Sequence, residues 1–580
     1  MPFSFPRRLP GRAYLLLGLL TFLLALAGRM TLPPLDRDEP RYMEATEQMV
    51  LSGNYLDIRF QEHPRYLQPA GIYWLEALPV LAAKAAFGPQ ALKWSWVYRL
   101  PSLLAASLAI PLTAWIGCAA FSAECGLLAA FFLLASTLFA AECRMATIDT
   151  TLLFVILCLE ALLLSAWQAL NRPSPVPLRT ALLYWGALGC GLMLKGPIVL
   201  LPALGTPLLL GLTDRRFTLW RALRPGWGWL VSLAVVTPWC VCMALTSHGA
   251  FFRIALGHNL LGKIAHAQET HGFPPGYYLL LFVLTFWPGA WFTARALPQI
   301  WAHRHTPAVR FLLCWILPVW ITFECLATKL PHYVLPAFPA LAILTAASLT
   351  VWPPVRLPRW GKALLSVYGL FWMLTGLLLC SAGLLLLAHL HPSGPHPLSP
   401  PDFPAAVVLA FIGALLPLLA SGLLILKGHL RQAACCAIGC AFITQTGIFL
   451  AVIPRLAPLH LSQRAADLFA ANRPCPDSVL LSATDHEPSL VFLTGPATRL
   501  LTPKAAAQAL KTGFRCDLAL VDRKDEARFR QSLNALGGEM LERGRVSGLN
   551  YSNGHWLDLG LFSARFPAGF APGFKPGKAD

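Results

Sequence analysis

The apolar residues of this chain are gathered into blocks of about 17–25, the length a helix needs to cross roughly 30 Å of hydrocarbon. About thirteen blocks can be counted, near 13–31, 98–119, 125–141, 149–169, 180–194, 197–212, 228–246, 277–294, 310–327, 333–351, 363–389, 404–426 and 432–454. This confines the fold to a polytopic α-helical membrane protein, since helices satisfy their own backbone groups in lipid. Only 13% of the residues are charged, about half the usual share in soluble chains. The 46 Lys and Arg outnumber the 28 Asp and Glu. They sit in short loops rather than on one basic surface, so nucleic acid is not an expected partner.

Those basic loops set an expected orientation. Arg7, Arg8 and Arg12 precede the first block, which reads as a retained signal anchor because no small-residue cleavage site follows it. Arg215, Arg216, Arg221 and Arg224 follow block six, and Arg295, Arg304 and Arg310 follow block eight. Arg356, Arg359 and Lys362 follow block ten, and Lys427 and Arg431 follow block twelve. If the N-terminus is cytoplasmic, all of these fall on the cytoplasmic side. The C-terminal region is then extracytoplasmic, which in a bacterial inner membrane means periplasmic.

Four polar clusters then share the outer face. Asp36-Arg37-Asp38-Glu39-Pro40-Arg41-Tyr42 follows the first block, and Arg144-Met145-Ala146-Thr147-Ile148-Asp149 joins blocks three and four. Lys195-Gly196-Pro197 separates blocks five and six, and Lys329-Leu330-Pro331-His332-Tyr333 joins blocks nine and ten. Ionisable groups at a membrane boundary mark functional sites by default. A transporter would place them near the midplane on broken helices, with repeated halves; here they gather at one face and no halves repeat. A flippase-type transporter and a non-catalytic sensor are the competing classes.

The first outer loop, 32–97, contains Ala70–Phe87, read as a helix lying in the interface, and Trp94, Trp96 and Tyr98, read as an aromatic belt. The loop 247–276 carries His248, Arg253, His258, Asn259, Lys263, His266, Glu269 and His271. Imidazoles invite a divalent metal, but the spacings match no standard zinc pattern. A phosphate cradle suits the accompanying cations better. No cofactor is otherwise implied. Most of the fifteen cysteines lie inside apolar blocks; Cys475 and Cys516 fall in the polar C-terminal region, where export would permit a disulfide. The expected organisation is a membrane domain over 1–454, an α/β domain over 455–567 and a disordered tail over 568–580. Val479–Ser482, Leu518–Asp522 and Trp556–Phe562 read as strands and Lys524–Leu536 as a helix.

The order of these motifs, D-E-x-R-Y, R-M-x-x-I-D, K-G-P and K-L-P-H-Y, resembles the GT-C membrane glycosyltransferases. It is most similar to the bacterial branch of the dolichyl-phosphate-mannose-protein mannosyltransferase superfamily, which includes aminoarabinose transferases acting on lipid A. The motif resemblance covers about residues 10–350. It implies a polyprenyl-phosphate sugar donor reaching the site from the membrane, a lipid or protein acceptor, and inverting transfer without a nucleotide. It also implies catalytic roles for Asp38 and Asp149. Glu39, Arg41, Tyr42 and Arg144 would position the base or acceptor; Asp149 and Arg144 could equally form a structural pair. Lys195, His258, Lys263, Lys329, His332 and Tyr333 would bind the donor phosphate. Two departures stand out: Leu67-Gln68 precedes Pro69 where many relatives carry a phosphate-holding Lys, and Lys263 stands where the aminoarabinose branch tends to have Arg. They leave the sugar open, and a protein O-glycosyl transferase is the alternative within the class.

Overall fold

The computed structural model describes residues 9–35, 38–170, 176–255, 257, 262, 272–389, 405–512 and 516–566. His258, Lys263 and the tail 568–580 lie outside the described residues. Nine helices among those described are long and apolar enough to cross a membrane, and Gly11–Leu26 and Ala123–Ala135 are shorter apolar helices. The exact count of thirteen is not confirmed by that measure, which takes blocks five and six, Leu178–Asp214, as one helix. The eighth block is broken at Phe286–Pro288 into Tyr277–Thr285 and Gly289–Ala302, and the first stops at Leu26 rather than near residue 31.

The elements that position the site are α1 (Gly11–Leu26), α2 (Asp38–Ser52), α3 (Gly71–Phe87), α4 (Leu100–Ala120), α5 (Ala123–Ala135), α6 (Asp149–Ala169), α7 (Leu178–Lys195), α8 (Leu200–Asp214) and α9 (Pro307–Cys325). Blocks five and six are α7 and α8, joined by a turn at Gly196, whose φ of 63° suits glycine and stops the first helix. Side-chain contacts fix the direction of α8. Lys195 lies against Asp149 at the start of α6, and Thr206 donates to Glu160, both eleven residues further along. Asp214, at the far end of α8, pairs with Arg310 at the start of α9. So α7 climbs to the end of the bundle where α6 starts, and α8 descends from it beside α6.

The first outer segment is more ordered than a polar loop. Its acidic patch opens α2, a 15-residue helix with Asp38 and Glu39 in the first turn, where carboxylates favour the helix dipole. A short antiparallel hairpin follows, β1 (Arg59–Phe60) and β2 (His63–Pro64), then α3, which starts one residue after the expected Ala70.

The C-terminal region forms a five-stranded sheet from β3 (Leu480–Ser482), β4 (Arg499–Leu500), β5 (Leu518–Asp522), β6 (Glu539–Asn550) and β7 (His555–Arg565). Its order is β4-β3-β5-β7-β6, parallel between β3 and its neighbours and antiparallel across β7. Cys475 and Cys516 are joined by a disulfide. This region sits on the first outer segment. Lys93 donates to Phe492 O at 2.6 Å, Gln61 to Thr498 O at 2.5 Å, and Tyr551 to Pro34 O at 2.9 Å.

Candidate active site

The four polar clusters meet at one end of the bundle, but their members divide into two groups. One group holds the end together. Glu39 is fully buried and its carboxylate accepts four hydrogen bonds. Two come from Arg99, at 2.7 and 3.0 Å, one from the Ala146 backbone at 2.7 Å and one from the Leu35 backbone at 2.7 Å. Arg99, which lies in none of the four motifs, also donates to the carbonyls of Arg29, Leu32 and Pro33. Arg29 donates to the carbonyls of Arg99 and Cys143. Glu39 thus ties the acidic patch to the loop that leads into Asp149.

Arg144 belongs to this group as well. It donates to the carbonyls of Leu24, Ala27 and Ala140 and lies over the Phe449 ring at 4.2 Å. A guanidinium is suited to closing the carbonyls that a helix end leaves unbonded, so Arg144 finishes α1. The structural pair entertained between Asp149 and Arg144 does not form; Asp149 is paired elsewhere.

The second group gathers around Asp149. Asp149 binds Lys195 at 2.5 Å, with His332 at 3.8 Å from its other oxygen. The other ring nitrogen of His332 is 3.5 Å from Glu142, which accepts from Thr147 at 3.0 Å. Lys195 also lies over the Tyr333 ring at 5.6 Å, and Tyr333 packs on Phe323. Lys329 is 2% exposed and donates to the Leu326 carbonyl, with no carboxylate within 4 Å among the described residues. An ammonium buried in this way favours the arrival of an anion.

Asp38, in the first turn of α2, belongs to neither set of contacts. Its carboxylate is 46% exposed and 3.5 Å from Arg41, so the base candidate is open to an acceptor while Glu39 beside it is not. Tyr42 is buried and feels the charge of both Asp38 and Asp149. Burial, then the Tyr73 hydroxyl, then the negative charges of Asp38 and Asp149 hold its phenol well above the ordinary value, with Arg65 opposing. Tyr42 is therefore a neutral hydrogen-bond donor within the field of both carboxylates. Arg65, also outside the motifs, lies over the Tyr42 ring at 5.2 Å and donates to Tyr73 at 3.0 Å. The start of α3 is pressed onto the end of α7: a Cβ on Gly71 would meet Met193 O at 2.5 Å, two residues before Lys195.

Among the described residues no group of three or more His, Cys, Asp and Glu is arranged to hold a metal ion. Of the polar residues named in the histidine-rich loop that invited one, His258, Asn259, Lys263, His266, Glu269 and His271 lie outside the described residues.

The fold of this bundle has solved counterparts. ArnT from Cupriavidus metallidurans bound to undecaprenyl phosphate matches with a TM-score of 0.72, 20% identity, 97% of this chain and 98% of that one. The archaeal oligosaccharyltransferase AglB from Archaeoglobus fulgidus, in complex with an inhibitory peptide and a dolichol-phosphate, matches with a TM-score of 0.51, 12% identity, 97% and 75%. The fold is GT-C, carried here by a bundle whose long helices are apolar enough to cross a membrane. The chain's curated relatives are more particular. It is 29% identical over 507 residues to the undecaprenyl phosphate-alpha-4-amino-4-deoxy-L-arabinose arabinosyl transferase of Pseudomonas paraeruginosa, covering 85% of this chain and 82% of that protein. The enzyme of the same name from Erwinia tasmaniensis is 28% identical over 415 residues, covering 70% and 71%. No family model matches the chain.

Proposed function

We propose that the chain transfers a 4-amino-4-deoxy-L-arabinose-type sugar from undecaprenyl phosphate to a lipid acceptor, lipid A first among the candidates, with inversion at the anomeric carbon. The observation that carries this reading is that an open carboxylate, Asp38, and a cation-bound one, Asp149–Lys195, both act on the buried phenol of Tyr42. The names of the curated relatives supply the sugar and its carrier.

In this reaction the bond between the anomeric carbon and the phosphate oxygen breaks as the acceptor oxygen attacks from the opposite face. Lys329, Lys195 and Tyr333 stabilise the negative charge that collects on the departing polyprenyl phosphate. Charges and dipoles already aimed at developing charge commonly supply the greater part of a rate enhancement. Asp38 takes the proton of a hydroxyl acceptor; toward a phosphate acceptor, already ionised, it faces the positive charge developing at the sugar. Asp149 is held by Lys195 and His332 where it can orient sugar or acceptor. We place the site at the periplasmic face of the inner membrane, since the Arg-rich loops lie at the opposite end of the helices.

Mass spectrometry of lipid A from a deletion strain complemented with wild type or Asp38→Asn tests this reading. The expected result is an aminopentose mass increment with wild type and none with the variant at equal protein level. An unchanged lipid A in the wild-type complement removes this acceptor and sugar; full transfer by D38N removes the assignment of the base.

A further inference from the structure

Four arginines at this end of the bundle are buried: Arg29, Arg65, Arg99 and Arg144. In three of them both terminal nitrogens are engaged. Arg29 and Arg144 give theirs to backbone carbonyls, and Arg99 divides its own between carbonyls and Glu39. Arg65 differs. Its Nε donates to the Tyr73 hydroxyl at 3.0 Å, but among the described residues neither terminal nitrogen has a hydrogen-bond partner and no carboxylate lies within 4 Å. Nor are those nitrogens among the sealed, unpaired atoms of the interior, so they open onto solvent-accessible space although the residue is only 7% exposed.

The position of this free fork is specific. Gln68 Nε2 reaches the same Tyr73 hydroxyl, at 3.4 Å. Arg65 therefore presents its charge beside the place where the side chain at 68 ends. The guanidinium is braced by the Tyr42 ring, and the main chain at 65 is fixed by a hydrogen bond from its N–H to Ile58 O at 2.8 Å. A planar pair of N–H donors held by aromatic rings at a membrane boundary matches the tetrahedral oxygens of a phosphate monoester, which it can bind through two parallel hydrogen bonds.

Resting on the polyprenyl-phosphate reading above, we propose that Arg65 is a lipid-phosphate ligand of the active site, carrying the charge that Gln68 does not. Both the sugar carrier and a lipid A acceptor present such a phosphate, and the binding arms below separate them.

The test uses purified full-length protein in nanodiscs and three probes: undecaprenyl phosphate, the uncharged undecaprenol, and lipid A. R65Q is expected to weaken undecaprenyl phosphate binding tenfold or more, on the order of one lost charge-assisted hydrogen-bonded contact, while undecaprenol binds as to wild type. Adding Gln68→Lys to that variant returns the charge to the same hydroxyl and restores most of the affinity. If lipid A binding falls instead, Arg65 serves the acceptor's phosphate, which also supports the proposal. Unchanged binding of both phosphorylated lipids overturns it, as does an equal loss for undecaprenol, which would make Arg65 a packing residue. Should R65Q not fold, R65K carries the test: weaker phosphate binding with undecaprenol unaffected supports the role, and no change refutes it. A wild-type protein that binds neither phosphorylated lipid defeats the functional reading itself, an outcome distinct from any effect of the substitutions.

Discussion

Glu39→Gln keeps the size of a fully buried side chain and removes its charge. Four donors converge on the native carboxylate: two nitrogens of Arg99 and the backbone N–H groups of Leu35 and Ala146. An amide offers one acceptor oxygen, and its NH2 group faces two of those donors, so at least two buried N–H groups lose their acceptor at about 1–3 kcal/mol each. Arg99, itself unexposed, becomes a buried charge without its counter-ion, a loss of about 3–5 kcal/mol in comparable pairs. These contributions overlap, and the larger one sets the scale. With roughly 2–4 °C per kcal/mol for a domain of moderate size, the melting temperature in detergent should fall by roughly 6–20 °C. Transfer should fall further than stability, because Asp38 and the approach to Asp149 lose their common anchor. A double-mutant cycle with Arg99→Gln isolates the pair: the double variant should melt well above the sum of the two single losses. An E39Q protein that melts with wild type, or strictly additive effects in the cycle, would refute the reasoning.

Two further perturbations probe the same end of the molecule. Gly71→Ala places a methyl group 2.5 Å from Met193 O, so α3 and the end of α7 must separate; transfer should fall at least tenfold while the melting temperature changes little, and wild-type kinetics would show that this contact does not set the position of Lys195. Stability should also depend on pH through two buried carboxyls outside the membrane. Burial and the charge of Glu47 push Glu44 up to about 8, and burial and Glu487 push Asp485 up to about 7. Both are raised above their unfolded values, so their contribution is complete below the ordinary carboxyl range and is lost as pH rises through 7 and 8, on the order of a few kcal/mol. Melting curves from pH 5 to 9 should fall at the alkaline end for wild type and flatten in E44Q/D485N; identical slopes would sink this account.

The membrane helices were legible because lipid accepts little besides long apolar runs, and the C-terminal elements Leu518–Asp522 and Glu526–Ala535 because their alternation and periodicity are regular. β6 was missed: its E-R-G-R run is charged and broken by a bulge at Glu542–Gly544, features of an edge strand rather than of a buried one. The acidic patch read as loop because its helix carries most of its polar residues inward, Glu39, Glu44, Thr46 and Glu47 among them, and so lacks the usual polar outer stripe. Within the site, Asp149 and Lys195 stood out as charges at span ends. Arg144 stood out for the same reason, and the sequence cannot separate a charge that meets substrate from one that closes a helix end. Arg65 and Arg99 went unnoticed because no motif contains them; their significance comes from the neighbours that folding supplies.

The contacts of α2 also set the order in which the enzyme is completed. Its residues are made early, yet Lys93, which pairs with Glu47 of this helix, is anchored on Phe492, and Pro34, just before the helix, is held by Tyr551. Roughly four-fifths of the polypeptide must be synthesised before the first of these partners exists. A ribosome-bound or truncated chain thus contains all of Asp38, Asp149 and Lys195 but has an unbraced first segment. Docking of the sheet on this segment therefore comes last, and the start of α2 gains its full set of contacts only in chains that have been made nearly to the end.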